Sequence, residues 1–220
     1  MPMVLLENVK NLVQSHKSVL THLETKLTSF GYRVFWKILN AADHNVPQNR
    51  ERVFIVAVRK PCNNTFSWPT PEPPISIKTI LDPLTADERK ADLNQRKPPA
   101  SQTNARANLK LGYAQLKAQG VDPSKTAVVM DIDSSKLHMM FDKSPCLTSS
   151  RAAEGGFWVS CRGRRFTKAE MLKLQGISMK LKQPDSVSDR QWGRIVGNGI
   201  PIPMMSRVLS KLLPFAGWQI

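Results

Sequence analysis

Long apolar runs are missing from this chain of 220 residues. None approaches the roughly 18 residues needed to cross a bilayer, so no membrane-spanning segment is expected. The opening stretch, Met1 to Asn8, is apolar and ends on an acid and an amide. It lacks a basic n-region and a small-residue cleavage site, which argues against a secretory signal. Cysteine is scarce: Cys62, Cys146 and Cys161 stand at no spacing typical of a metal site or a disulfide framework. Neither is expected, and a reducing intracellular compartment is the default, nuclear in a eukaryote and cytoplasmic in a bacterium. Acids are the second shortage, with 17 Asp+Glu against 32 Lys+Arg and a net charge of +15. Such an excess points to an anionic partner, because Lys and Arg release counterions when they meet phosphates. Nucleic acid comes first and an anionic membrane surface second; a solvated basic surface with no such partner is the plain alternative.

What is present suffices for one sizeable domain, or one domain with a small appendage: 41% hydrophobic residues, five Trp and eight Phe. Met3–Leu6 reads as a buried strand that stops at Glu7-Asn8. Ser15 or Ser18 is placed to cap a helix carrying Val19, Leu20, Leu23 and Leu27 and closed by Gly31. Tyr32–Leu39 and Val53–Val58, rich in β-branched and aromatic residues, read as strands flanking the polar segment Asn40–Arg52. Six prolines make Lys60–Pro83 mostly extended. Lys90–Asn108 is polar and reads as an exposed basic stretch. Ala105–Gln119 predicts a helix closed by Gly120, and regular structure resumes at Thr126–Met130 and Phe157–Arg165. Thr167 and Glu170 have capping-box spacing at the start of a helix running to Leu174 and stopped by Gly176. A last helix spans about Pro203–Leu213. The plan is α/β, then an irregular basic insertion, then α/β again, with no internal repeat.

Three segments carry chemistry. Glu7 ends an apolar run, where open α/β sheets place ligands, although an acid there is more often a helix cap or a solvated turn. In Val46-Pro47-Gln48-Asn49-Arg50-Glu51-Arg52, strand alternation points Gln48, Arg50 and Arg52 to one side. The rigid donor fork of Arg suits a base carbonyl or a phosphate, whereas the plain reading is a basic strand entry paired to surface acids. Val196-Gly197-Asn198-Gly199-Ile200-Pro201 reads as a Gly-rich turn that lets backbone approach a ligand, or as a simple turn.

Taken in order, these segments resemble the later motifs of the C5 cytosine methyltransferase family. Leu6-Glu7-Asn8-Val9-Lys10 matches its Glu-Asn-Val motif, and Gln48-Asn49-Arg50-Glu51-Arg52 its Gln-x-Arg-x-Arg motif. Arg165-Phe166-Thr167 with Glu170 and Leu174-Gln175-Gly176 match its Arg-x-x-Thr…Glu helix, and Gly197-Asn198-Gly199-Ile200-Pro201 its closing Gly-Asn turn. The likeness covers Met3–Tyr32, Ala41–Arg59 and about Lys143–Leu213. Lys60–Met140 falls where the family carries its target-recognition domain and shows no likeness.

The resemblance implies the C-terminal half of an S-adenosyl-L-methionine-dependent, Rossmann-like methyltransferase domain: 1–59 catalytic, 60–142 a target-recognition insertion, 143–220 catalytic again. It implies DNA as partner and methyl transfer to C5 of a flipped cytosine. By similarity Glu7 lies against the N3/N4 edge of the base, Asn8 holds the loop and Arg52 holds O2, where negative charge develops. Arg50 and Gln48 support them, Thr148 lies on the DNA side, and Asn198, Gly199 and Ile200 border the S-adenosyl-L-methionine pocket. His44-Asn45 replaces the family's usual Tyr-Gly, a mild change because Asn tolerates a left-handed backbone. The family's Phe-x-Gly-x-Gly turn and its Pro-Cys nucleophile loop have no counterpart here. Pro61-Cys62 and Pro145-Cys146 stand in the wrong places to substitute. The expectation is a chain inactive alone, its missing half either lost to a truncated reading of the gene or supplied by another polypeptide. A transfer-RNA methyltransferase relative and a non-catalytic nucleic-acid-binding module are the alternatives.

Overall fold

The computed structural model describes residues 2–59, 65–90, 96–178 and 180–218. The chain divides into two compact units, residues 1–45, 50–73 and 203–220 in one, and 46–49 with 74–202 in the other.

The first unit is organised by six apolar residues in succession. Val53–Val58, each between 0 and 3% exposed, lie in strand β3 (Glu51–Arg59) at the centre of a three-stranded sheet. An unbroken apolar run fits a strand covered on both faces. Strands β1 (Met3–Val9) and β2 (Tyr32–Asn40) flank it, both antiparallel to it. Between β1 and β2 the chain forms α1 (Asn11–Gln14) and α2 (Lys17–Ser29), which pack Leu12, Val13, Leu20 and Leu23 against Val53 and Ile55. The other face buries Val56 and Val58 under Leu5, Phe35, Phe66 and, from the last helix (Ile202–Phe215), Leu212 and Phe215. Two expectations need correction. Strand β1 does not stop at Leu6: the ladder continues through Glu7 opposite Phe54 to Val9 opposite Arg52, because pairing with β3 outweighs side-chain polarity. Neither Ser15 nor Ser18 caps α2, whose N-cap is His16 with no side-chain bond; the Ser15 hydroxyl turns to Asn11 instead. Gly31 closes that helix region with a φ of 82°, as expected.

The second unit contains α3 (Ala86–Lys90), α4 (Thr103–Ala118), β4 (Val128–Asp131), β5 (His138–Phe141), α5 (Ser149–Ala153), β6 (Trp158–Val159), β7 (Arg164–Arg165), α6 (Lys168–Leu174) and α7 (Asp189–Asn198). Its sheet runs β5-β4-β6-β7, antiparallel throughout. Helix α4 seals one face with Ala105, Leu109 and Leu116 on Val128, Met130 and Trp158. The opposite face joins Val129 and Val159 to Leu147, Phe157, Leu174, Trp192 and Val196. The insertion is therefore less irregular than the sequence implies. Helix α4 begins at Thr103 and buries Ala105 and Asn108 inside the stretch read as exposed. Asn108 is satisfied there, donating to the carbonyls of Ile132 and Ser134. The last helix, α8 (Ile202–Phe215), is slightly longer than expected.

Helix α7 was not legible as a helix, and its glycines explain why it packs so closely. A Cβ on Gly193 would lie 2.3 Å from the Ala152 carbonyl oxygen, and one on Gly197 2.4 Å from that of Thr148. Both contacts are with α5 and the residue that caps it, so the helices touch backbone to backbone. Gly197→Ala is expected to destabilise the chain by about 1–3 kcal/mol through overpacking, whereas Gly31→Ala strains φ with no clash. Urea unfolding checks this; a Gly197→Ala chain as stable as wild type would contradict the contact.

Candidate active site

Arg52 directly precedes the buried run of β3, and its side chain finds Glu7 on the neighbouring strand. In the β1–β3 register Val9 lies opposite Arg52 and Glu7 opposite Phe54, so Glu7 and Arg52 are diagonal neighbours on one face. Arg52 Nε stands 3.0 Å from Glu7 Oε1, with the side chains only 14% and 20% exposed. Arg52 Nη1 also donates to the Glu51 carbonyl at 2.8 Å, which fixes the guanidinium plane. The second carboxylate oxygen of Glu7 has no partner among the described residues. The arrangement offers an acceptor or proton-carrying oxygen beside a delocalised cation, suited to a planar heterocycle with both donor and acceptor edges. Asn8 is exposed, its side chain folded onto the Val9 amide.

Arg50 is 2% exposed, and its backbone is locked by the Asn40 side chain and the Ala41 amide. Gln48 belongs to the second unit and is fully buried. Its Oε1 accepts from the Leu147 amide at 2.8 Å and its Nε2 donates to the Leu174 carbonyl at 3.4 Å. The alternation that was to align Gln48 with Arg50 and Arg52 does not hold, since β3 begins only at Glu51. Gln48 thereby fixes the segment leading to Thr148, an exposed residue whose hydroxyl caps α5.

The Gly-Asn segment is also not the turn read from the sequence. Gly197 and Asn198 complete the last turn of α7, and Gly199 follows as its C-cap with its amide donating to Ile195 and Val196. Gly197 serves contact with Thr148, which brings Thr148 beside the Asn198 segment. The Asn198 side chain is exposed with no hydrogen bond among the described residues, so it is open to a polar ligand; Gly199 and Ile200 are half-buried beside it.

The sequence pointed to Arg165 beside Glu170, yet Arg164 makes the pair. Glu170 is fully buried and receives Arg164 Nη1 and Nη2 at 2.8 and 3.0 Å, with the Thr167 and Asp82 amides at 2.8 Å each. Burial alone would lower the Arg164 pKa, but the hydrogen bonds and charges of Glu170 and Glu88 together outweigh it and the net direction is upward. Arg165 instead grips Asp133. The Arg-x-x-Thr spacing was the available signal, since it selects Arg164 over Arg165. Pro61-Cys62 lies outside the described residues. Cys146 is half-buried; Cys161 is buried, which raises its thiol pKa and makes it a poor nucleophile. Among the described residues no cluster of His, Cys, Asp and Glu could hold a metal, and no helix is long and apolar enough to cross a membrane.

The profile of the "C-5 cytosine-specific DNA methylase" family matches residues 2–213. The chain belongs to that family. It is 28% identical to the type II methyltransferase M.DsaV of Dactylococcopsis salina over 96% of this chain and 57% of that protein. It is 26% identical to M.SsoII of Shigella sonnei over 95% of this chain and 52% of that one. The chain thus spans about half the length of these curated relatives. In fold it resembles the Entamoeba histolytica methyltransferase EhMeth, with a TM-score of 0.63 at 18% identity over 97% of this chain and 62% of that one. It also resembles Spodoptera frugiperda DNMT2, with a TM-score of 0.62 at 18% identity over 96% and 66%. The α/β fold is therefore the one that these solved methyltransferases share.

Where this chain carries His44-Asn45, Asn45 takes the left-handed backbone expected of it, with a φ of 60°. Asn45 and Arg207 both reach Glu72, whose amide donates to the Asp43 carbonyl. His44 is 1% exposed at the centre of this knot, and its Nδ1 has no partner among the described residues. Burial, then the charge of Arg207, lowers its pKa from 6.5. Below 6.5 the unfolded chain takes up a proton that folded His44 refuses, so stability falls as pH drops through that window. Thermal melting between about pH 5 and pH 7 should show this fall in the wild type and a smaller one in His44→Gln. Parallel curves for the two proteins would remove His44 from the account.

Proposed function

We propose that this chain is the base-holding and target-reading part of a DNA cytosine-5 methyltransferase. The observation that carries the reading is the Glu7–Arg52 pair, a carboxylate with one open oxygen fixed beside a guanidinium on adjacent strands. In this reading the Arg52 cation holds the cytosine O2 and stabilises the negative charge that develops as a nucleophile adds to the ring. Glu7 hydrogen-bonds or protonates N3 at the same time. The cytosine is flipped from the duplex to reach them. Arg50 stiffens the strand entry from inside the core, and Gln48 positions the segment that carries Thr148 on the DNA side. S-adenosyl-L-methionine supplies the methyl group, with Asn198, Gly199 and Ile200 bordering it. Residues 60–142 serve as the target-recognition part. These 220 residues carry no counterpart of the family's Pro-Cys loop, so in this reading the thiolate and most of the cofactor pocket come from residues outside them.

The test is transfer of labelled methyl from S-adenosyl-L-methionine to duplex DNA, with transfer RNA as a parallel substrate. The chain alone is expected to give no transfer, and adding a polypeptide that bears the Pro-Cys half is expected to restore it on DNA. In that assembly Glu7→Gln and Arg52→Gln should each lower kcat by roughly 10²–10³-fold. Turnover by the chain alone that disappears in Cys62→Ala or Cys146→Ala would overturn the reading.

A further inference from the structure

Helix α4 carries three cations and no acid. Its residues Thr103–Ala118 contain Arg106, Lys110 and Lys117 and neither Asp nor Glu. The spacing of Arg106, Lys110, Tyr113 and Lys117 is four, three and four residues, which places them along one stripe. The buried side, formed by Ala105, Asn108, Leu109, Gly112 and Leu116, lies about 100° round the helix from the stripe, which therefore flanks the packed face. The three cations are all exposed, and none has an ion pair or hydrogen bond among the described residues. The contrast within the same unit is informative. Arg151, Arg164 and Arg165 each sit on a carboxylate, of Asp131, Glu170 and Asp133. Arg106 and Lys110 form a like-charged pair one turn apart, which weakens a helix in water and is relieved by an external anion.

The helix is also held rigidly. A Cβ on Gly112 would lie 3.0 Å from the Met130 sulfur, so the axis lies close on the sheet. Tyr113 is half-buried within the stripe, and its hydroxyl accepts from Trp158 Nε1 at 3.1 Å. Gln102, just before the helix, accepts from Arg165, and Asn104 and Asn108 donate to the Ser134 carbonyl. Lys117 shares a hollow of about 460 Å³ with Asp122. That carboxylate is already committed to the Ser124 amide and hydroxyl and to Lys125. From Arg106 to Lys117 the stripe runs about 16 Å, at 1.5 Å per residue. Duplex DNA presents a phosphate every ~3.4 Å along each strand, so three cations over that length can engage separate phosphates.

We propose that the exposed stripe of α4 is a phosphate-contact ridge for the backbone of duplex DNA. The ridge holds the duplex without reading its sequence, because Arg106, Lys110 and Lys117 present charge from a fixed convex surface. The proposal rests on the methyltransferase reading for its choice of partner, but its site lies in the second unit and does not involve Glu7 or Arg52.

The test uses the full chain and a short fluorescein-labelled duplex, with affinity followed by anisotropy from about 50 to 200 mM salt. R106Q/K110Q/K117Q is expected to reduce the slope of log affinity against log salt by about 2.7, at ~0.9 per lost phosphate contact. Glutamine has a helix propensity close to that of Lys and Arg, so circular dichroism and melting temperature should be unchanged. A charge-matched control, K17Q/K26Q/K211Q, alters exposed cations elsewhere and is expected to keep the wild-type slope. A slope unchanged in the α4 variant, or an equal loss in the control, overturns the ridge. Loss of binding to phosphatidylserine vesicles with duplex affinity intact also overturns it, in favour of a membrane. The E7Q chain is expected to keep the wild-type slope whatever becomes of methyl transfer, so the ridge and the catalytic reading fail separately.

Discussion

Burial of β3 on both faces is the constraint on which the first unit depends. Burying each large apolar side chain contributes roughly 1.5–3 kcal/mol, and β3 supplies several in a row from Val53 to Val58. A strand so placed needs a neighbour along each edge to satisfy its backbone, and β1 and β2 provide them. The register that results is not free to slip, since a one-residue shift would turn every buried side chain to the other face. Glu7 is therefore delivered to Arg52 as a consequence of core packing. The ion pair rests on a rigid frame and needs little ordering of its own.

The second unit solves a different problem. It has short strands and a small sheet, and buried charge does part of the work of joining its pieces. Glu170 gathers donors from β7, from its own helix start and from Asp82, while Lys173 and Thr167 hold the Asp82 side chain. For Asp82 burial pushes the carboxyl pKa up, but those bonds outweigh it and the net direction is down. Glu88 is lowered first by the Thr85 amide, against burial, and then by Arg164. Removing one member of such a network strands its partners in a poor solvent, so these charges specify the packing. Polar atoms inside and bare cations on α4 thus follow one division of labour. Arginines that hold the fold are neutralised, and cations without a carboxylate face outward.

Much of this was legible in the amino-acid order where a single local rule decides the outcome. The Val53–Val58 run, the Thr167–Glu170 capping box and the stops at Gly31, Gly120 and Gly176 each need only a few neighbouring residues. Features that depend on distant partners were hidden. Strand β1 runs past its apolar residues because β3 is there to pair with it. Helix α7 looks like a turn because Gly193 and Gly197 weaken its helical pattern, and their purpose is visible only beside Ala152 and Thr148. Gln48 looks like part of a strand until its partners Leu147 and Leu174 are known. Glu7 and Arg52 were each ambiguous alone. Motif order singled them out, and the strand register explains why they meet.

The most direct measurement is a double-mutant cycle on Glu7 and Arg52, read by urea unfolding of the chain carrying Glu7→Gln, Arg52→Gln or both. A pair fixed across β1 and β3 and mostly shielded from water should show a coupling on the order of 0.5–2 kcal/mol. If the two single effects simply add, to within about 0.3 kcal/mol, Glu7 and Arg52 do not act as a unit, and the site described here does not exist.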